Sequence, residues 1–70
     1  MPLCKAKVGH TGQVKSITGN EKIKKFLFSL GCSEGEDITL ISRLASNYII
    51  SIKDSRFAID KKMAQAIELC

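Results

Sequence analysis

Seventy residues, 44% of them hydrophobic and carrying a formal net charge of +4, leave room for one domain, residues 1–70, that buries only about 60% of the surface its unfolded chain exposes. Such a chain excludes a large enclosed active site, because ordering it costs on the order of 100 kcal/mol in conformational entropy and commits most apolar residues to packing. No stretch approaches the roughly 20 apolar residues of a membrane span, and the opening MPLCKAKVGH lacks the apolar run of a signal peptide.

The charge is uneven. Residues 1–30 carry six Lys and one Glu, and the remainder five basic and six acidic residues. A basic half can favour phosphate groups or an acidic protein face, and it also serves plain solubility. Cys4, Cys32 and Cys70 are odd in number and widely spaced, which does not match the disulfide framework of a small secreted domain and fits a reducing, cytoplasmic setting.

Along the chain, TGQVKSITGN alternates modestly around Val14 and Ile17 between turn glycines, which predicts a first short strand. Asn20 can cap a helix by accepting a hydrogen bond from a free first-turn N–H, and Glu21 suits the positive helix end. Ile23, Phe26, Leu27 and Leu30 then fall at i, i+3, i+4 and i+7, an apolar stripe facing a core, with Lys22, Lys24 and Lys25 facing water. Gly31 stands where a left-handed residue ends a helix, and Gly35 offers a second turn.

DITLISRL and NYIISIK read as antiparallel strands joined at ASN, and KDSR as a tight turn on Asp54 and Ser55 leading into RFAI. Asp60 caps a short helical turn, KKMAQA, and IEL returns as a last strand. The expected fold is mainly β. About five short strands, with a helix after the first and a helical turn before the last, hide their edges in so short a chain only by curling towards an SH3-like barrel.

Little in the sequence supports catalysis. His10 sits alone in GHTG with no acidic residue near it in sequence to orient it, so the expectation is no enzyme and no cofactor. A metal site built from Cys4, Cys32, Cys70 or His10 lacks any C-x-x-C or H-x-x-H spacing. Glu34, Glu36 and Asp37 read as a charged turn rather than a calcium loop. No phosphate-binding glycine motif occurs. Lys22, Lys24, Lys25 and Phe28 share a helix, but the chain holds only four aromatic residues, too few to supply both a core and a base-stacking platform, so nucleic acid is not an expected partner.

Phe28 lies off the apolar stripe, near Lys24 and Lys25. Either the core wraps widely around the helix and covers the ring, or the ring faces outward beside lysines in the manner of a protein interface.

FLFSLGCSEGEDITLI, followed by YIISIKDSRFAIDKKMAQAIEL, resembles the ferrous iron transport protein A (FeoA) family. Leu27, Leu30, Gly31 and Gly35 at the helix-to-strand joint carry the resemblance, with Ile38, the hairpin before Arg56, then Ala58, Ile59, Ala64 and Ile67, and Leu3 before KVG at the start. Cys32, Glu34 and Ser29 stand where the family tends to have an aliphatic residue, proline and an acidic residue. The resemblance implies a small cytosolic SH3-like barrel that acts by contact with the FeoB-type membrane iron transporter, whose cytosolic part binds GTP. It implies no membrane association except through that partner, and leaves self-association open. Lys24, Lys25 and Phe28 are the candidate partner-binding residues. The alternative is a small metal-responsive protein using Cys4, Cys32, Cys70 or His10. A related SH3-like module occurs in iron-dependent repressors, but this chain has no helix-turn-helix.

Overall fold

The computed structural model describes residues 1–70. A single 3-10 turn at Leu3–Lys5 precedes β1 (Thr11–Ile17), α1 (Glu21–Ser29), β2 (Asp37–Leu44), β3 (Asn47–Ile52), β4 (Ser55–Asp60), α2 (Lys61–Ala66) and β5 (Ile67–Leu69). All five strands join one antiparallel sheet in the order β4-β3-β2-β1-β5. The mainly β architecture, with a helix after the first strand and another before the last, is the one the sequence predicts.

One face of this sheet supplies most of the core. β3 alternates strictly, burying Tyr48, Ile50 and Ile52, and β2 adds Ile38 and Leu40 from the same face. Burying a side chain of this size removes enough apolar surface from water to stabilise by roughly 1.5–3 kcal/mol. Val14, Leu27, Ile59, Ile67 and Leu69 join the same cluster, and no polar or charged residue is buried with them. A single sheet that surrounds one core must curl, and the ladder irregularities at Lys15 in β1 and Ile41 in β2 supply the bend. The molecule measures 26 × 23 × 22 Å along its principal axes, close to equal in every direction.

Both helices start on the expected caps. Asn20 Oδ1 accepts from the Ile23 amide at 2.9 Å and Asp60 Oδ1 from the Met63 amide at 2.8 Å. The N-terminal segment is an element the sequence does not announce: Leu3 and Ala6 are core residues. It is held by Arg43, whose Nη2 donates to the Ala6 carbonyl at 2.6 Å while the guanidinium lies 5.4 Å from the Tyr48 ring centroid.

Three expectations are corrected. Phe26 is not in the core stripe: it is 42% exposed, because the helix buries only Leu27 fully, with Ile23 and Leu30 partly covered. Lys24 does not stand free in water but is partly buried. The β3–β4 hairpin turns on Lys53 and Asp54 rather than on Asp54 and Ser55. Ile52 and Ser55 already face each other, and the two residues between them adopt φ of 50° and 66°, the paired left-handed conformation that matches a two-residue loop to the twist of its strands.

Candidate partner-binding surface

The sequence-predicted surface lies on α1, and its presentation depends on how that helix is fixed. At about 100° per residue, Ile23, Leu27 and Leu30 form one narrow strip against the body of the protein. At the helix start, a Cβ on Gly19 would stand 3.7 Å from Ile23 and 3.8 Å from Ala66, so the N-terminus of α1 lies close against the end of α2. The neighbouring Thr18 amide donates to the Ala66 carbonyl at 2.8 Å.

The C-terminus closes by a double hydrogen bond. The Gly31 amide donates to the Phe28 carbonyl and the Cys32 amide to the Leu27 carbonyl, each at 3.0 Å, with Gly31 at φ 95°. This is the pattern in which a left-handed residue lets the chain fold back and satisfy the last carbonyls of a helix. Cys32 then drops into the core with no exposure. Burial pushes its thiol up from 9.0 to about 11, since the charged thiolate cannot be solvated there. Gly35, at φ 86°, makes the second turn, and its amide donates to the Val14 carbonyl at 2.8 Å, aligning the chain for β2.

With α1 so fixed, residues 26 and 28 project on opposite flanks of the buried Leu27. Phe28 is 52% exposed. Helical spacing places Lys24 and Lys25 one turn back on its flank, with Lys25 exposed and Lys24 partly buried. Phe26, on the other flank, shares its side with the exposed Lys22. Sequence reasoning missed Phe26 as a surface residue. The signal was its 100° offset from Leu27, which a nine-residue helix on a small curved sheet does not cover.

The other candidates are dispersed. Cys4 is partly buried, Cys32 buried and Cys70 exposed, all three as free thiols. His10 is exposed in the loop before β1, and no group of three or more His, Cys, Asp or Glu side chains is gathered as a metal site. Glu36 and Asp37 border an open polar depression with Thr39, Ser51, Lys53 and Asp54, and Lys53 Nζ lies 3.4 Å from Glu36 Oε1. No helix is long and apolar enough to cross a membrane.

A curled five-stranded antiparallel sheet with a helix braced across one end places the chain among small SH3-like β-barrels. The FeoA domain model matches residues 1–69, and the chain belongs to the FeoA family. Its fold is similar to the crystal structure of an iron uptake regulatory protein (FeoA), at 30% identity and a TM-score of 0.89 over 99% of this chain and 92% of that one. Zinc-complexed FeoA from Stenotrophomonas maltophilia superposes with a TM-score of 0.89 at 20% identity, covering 100% of this chain and 89% of that one. That protein is described as a unique prokaryotic SH3 domain protein and proposed as a bacterial ferrous iron transport activating factor. A manganese-dependent transcriptional repressor contains the same fold over 39% of its length, at 23% identity, a TM-score of 0.89 and 96% coverage of this chain. No curated protein matches the sequence.

Proposed function

We propose that this protein is a non-enzymatic, cytoplasmic accessory of ferrous iron uptake that acts by direct contact with the FeoB-type membrane transporter. Membership of the FeoA family supports the pathway. The observation that carries the contact mode is the half-exposed Phe28 ring on a helix braced at both ends, with Lys25 beside it. An aromatic ring held outward on a rigid element costs little conformational entropy to dock, and lysines at its rim favour an acidic partner face.

The test is a calorimetric titration of the reduced, metal-free protein into the soluble GTP-binding domain of the transporter from the same genome. Saturable binding is expected, weakened about tenfold or more by Phe28→Ala and reduced by Lys24→Glu and Lys25→Glu. The same binding in all variants would remove the α1 surface from the proposal. Ferrous-iron uptake that is unchanged when the protein is deleted under iron limitation would remove the accessory role itself.

A further inference from the structure

The two ends of the sheet are treated differently. On β5 the outer edge is covered from within the chain: the Leu69 amide donates to the Met1 carbonyl at 2.7 Å, and Pro2 pairs with Glu68. On β4 there is no such cover, and β3 is its only strand partner. The two-residue turn at Lys53 and Asp54 fixes which backbone groups stay open. Ile52 and Ser55 form the first, hydrogen-bonded pair, and bonding alternates from there. Arg56 and Ala58, opposite Ser51 and Ile49, therefore turn their N–H and C=O groups away from β3. Both residues are exposed, and an open row of this kind is a template for another strand.

The strand's own residues select what fits it. Arg56, Ala58 and Asp60 alternate on the outer face and are all exposed, while Phe57 and Ile59 turn towards the core. When two β4 strands pair antiparallel about a two-fold axis at Ala58, each Arg56 stands opposite the partner's Asp60. Moving the axis to Arg56 or Asp60 sets like charges against each other, and an axis at Phe57 or Ile59 places neither Arg56 nor Asp60 opposite a residue of the other sign. Only the Ala58 register pairs both. Asp60 caps α2 through Oδ1 alone, which leaves Oδ2 for the arginine. The small Ala58 side chain lets the two strands meet, and it continues the outer-face row that runs from Ser42 through Ile49.

We propose that β4 is a self-association edge, on which a second copy of this chain pairs antiparallel about Ala58 with reciprocal Arg56–Asp60 ion pairs. The surface is separate from the exposed flank of α1, so the two proposals stand or fall independently. The edge is short, which makes the dimer a weak one, populated in the high micromolar range rather than obligate.

Sedimentation equilibrium of the reduced protein from about 10 µM to about 1 mM should show a reversible monomer–dimer equilibrium that weakens with added salt. Arg56→Glu should raise the dimer dissociation constant at least about tenfold, because attraction becomes repulsion twice per dimer. Asp60→Asn, which keeps the helix cap, should weaken it less. Ala58→Pro should give a monomer without losing a hydrogen bond to β3, since that N–H points outward. Phe28→Ala should leave the equilibrium unchanged. Amide exchange at Arg56 and Ala58 should slow as concentration rises, with circular dichroism confirming that each variant is folded. A wild-type monomer throughout the range would overturn the proposal. So would a dimer as tight in folded Arg56→Glu as in wild type, or Arg56 and Ala58 amides whose exchange ignores concentration.

Discussion

The amide of Cys32 donates to the carbonyl of Leu27 across the end of α1, and both side chains are buried without exposure. Hydrogen bond and side-chain burial act together. The bond satisfies a carbonyl that the helix leaves open, and the paired side chains tie the turn to the core. A thiol suits the position because free cysteine packs as a small hydrophobe.

Cys32→Ala is expected to cost about 1 kcal/mol near neutral pH, because the buried sulfur leaves a small void. Its larger signature is in pH dependence. The folded chain holds the thiol proton up to about pH 11, whereas the unfolded chain releases it near 9.0. Above the unfolded value the unfolded state binds fewer protons than the folded one, so stability falls as pH rises through this window, by about 2 kcal/mol near pH 10.5. Urea unfolding at about pH 8 and about pH 10.5 should show this loss in wild type and not in Cys32→Ala, relative to the losses both share. An equal fall in the two proteins would mean that Cys32 is not the group responsible.

Gly31→Ala should destabilise the protein by about 1–2 kcal/mol. Its φ of 95° is strained for any residue with a side chain. The added Cβ would meet the flexible Lys53 side chain at 3.4 Å and Ile52 Cγ2 at 3.6 Å, both ordinary van der Waals separations, so backbone strain and not collision sets the cost. Thermal unfolding measures it, and a midpoint unchanged by the substitution would refute the strain account.

The opposite sign is expected at the β3–β4 turn. Asp54 holds φ at 66° without being glycine, and Asp54→Gly should stabilise by about 0.5–1 kcal/mol, as glycine is the favoured second residue of this turn. Lys53 is best left in place for its contact with Glu36, although so exposed a pair contributes little. Chemical denaturation of Asp54→Gly should show a raised midpoint.

Arg43→Lys should loosen the start of the chain. Lysine cannot reproduce the planar guanidinium near Tyr48 while also donating to the Ala6 carbonyl. Faster amide exchange at residues 3–10, with exchange in β3 unchanged, is the expected result. The cost to global stability should be about 1 kcal/mol.

Phe26→Ala and Phe28→Ala should change stability by no more than about 0.5 kcal/mol each, since both rings are largely outside the core. A melting temperature that drops as it would for a core phenylalanine would show that the rings are held by the fold and not presented to a partner.

The element order, both helix caps, the stop at Gly31 and the two strand segments that become β2 and β3 are legible in the sequence. Each of these depends on residues within a few positions of one another, where periodicity and capping chemistry act directly. The burial of Cys32 follows from the same local joint. What the tertiary structure alone decided is which apolar residues the core had room for. Phe26 and Leu27 are adjacent and equally apolar, yet the strip of α1 that meets the core admits one and leaves the other at the surface. The core role of Leu3, the reach of Arg43 to Ala6 and the open edge of β4 are likewise long-range outcomes. They depend on which strands become neighbours once the sheet curls, and the spacing of residues along the chain does not carry that relation.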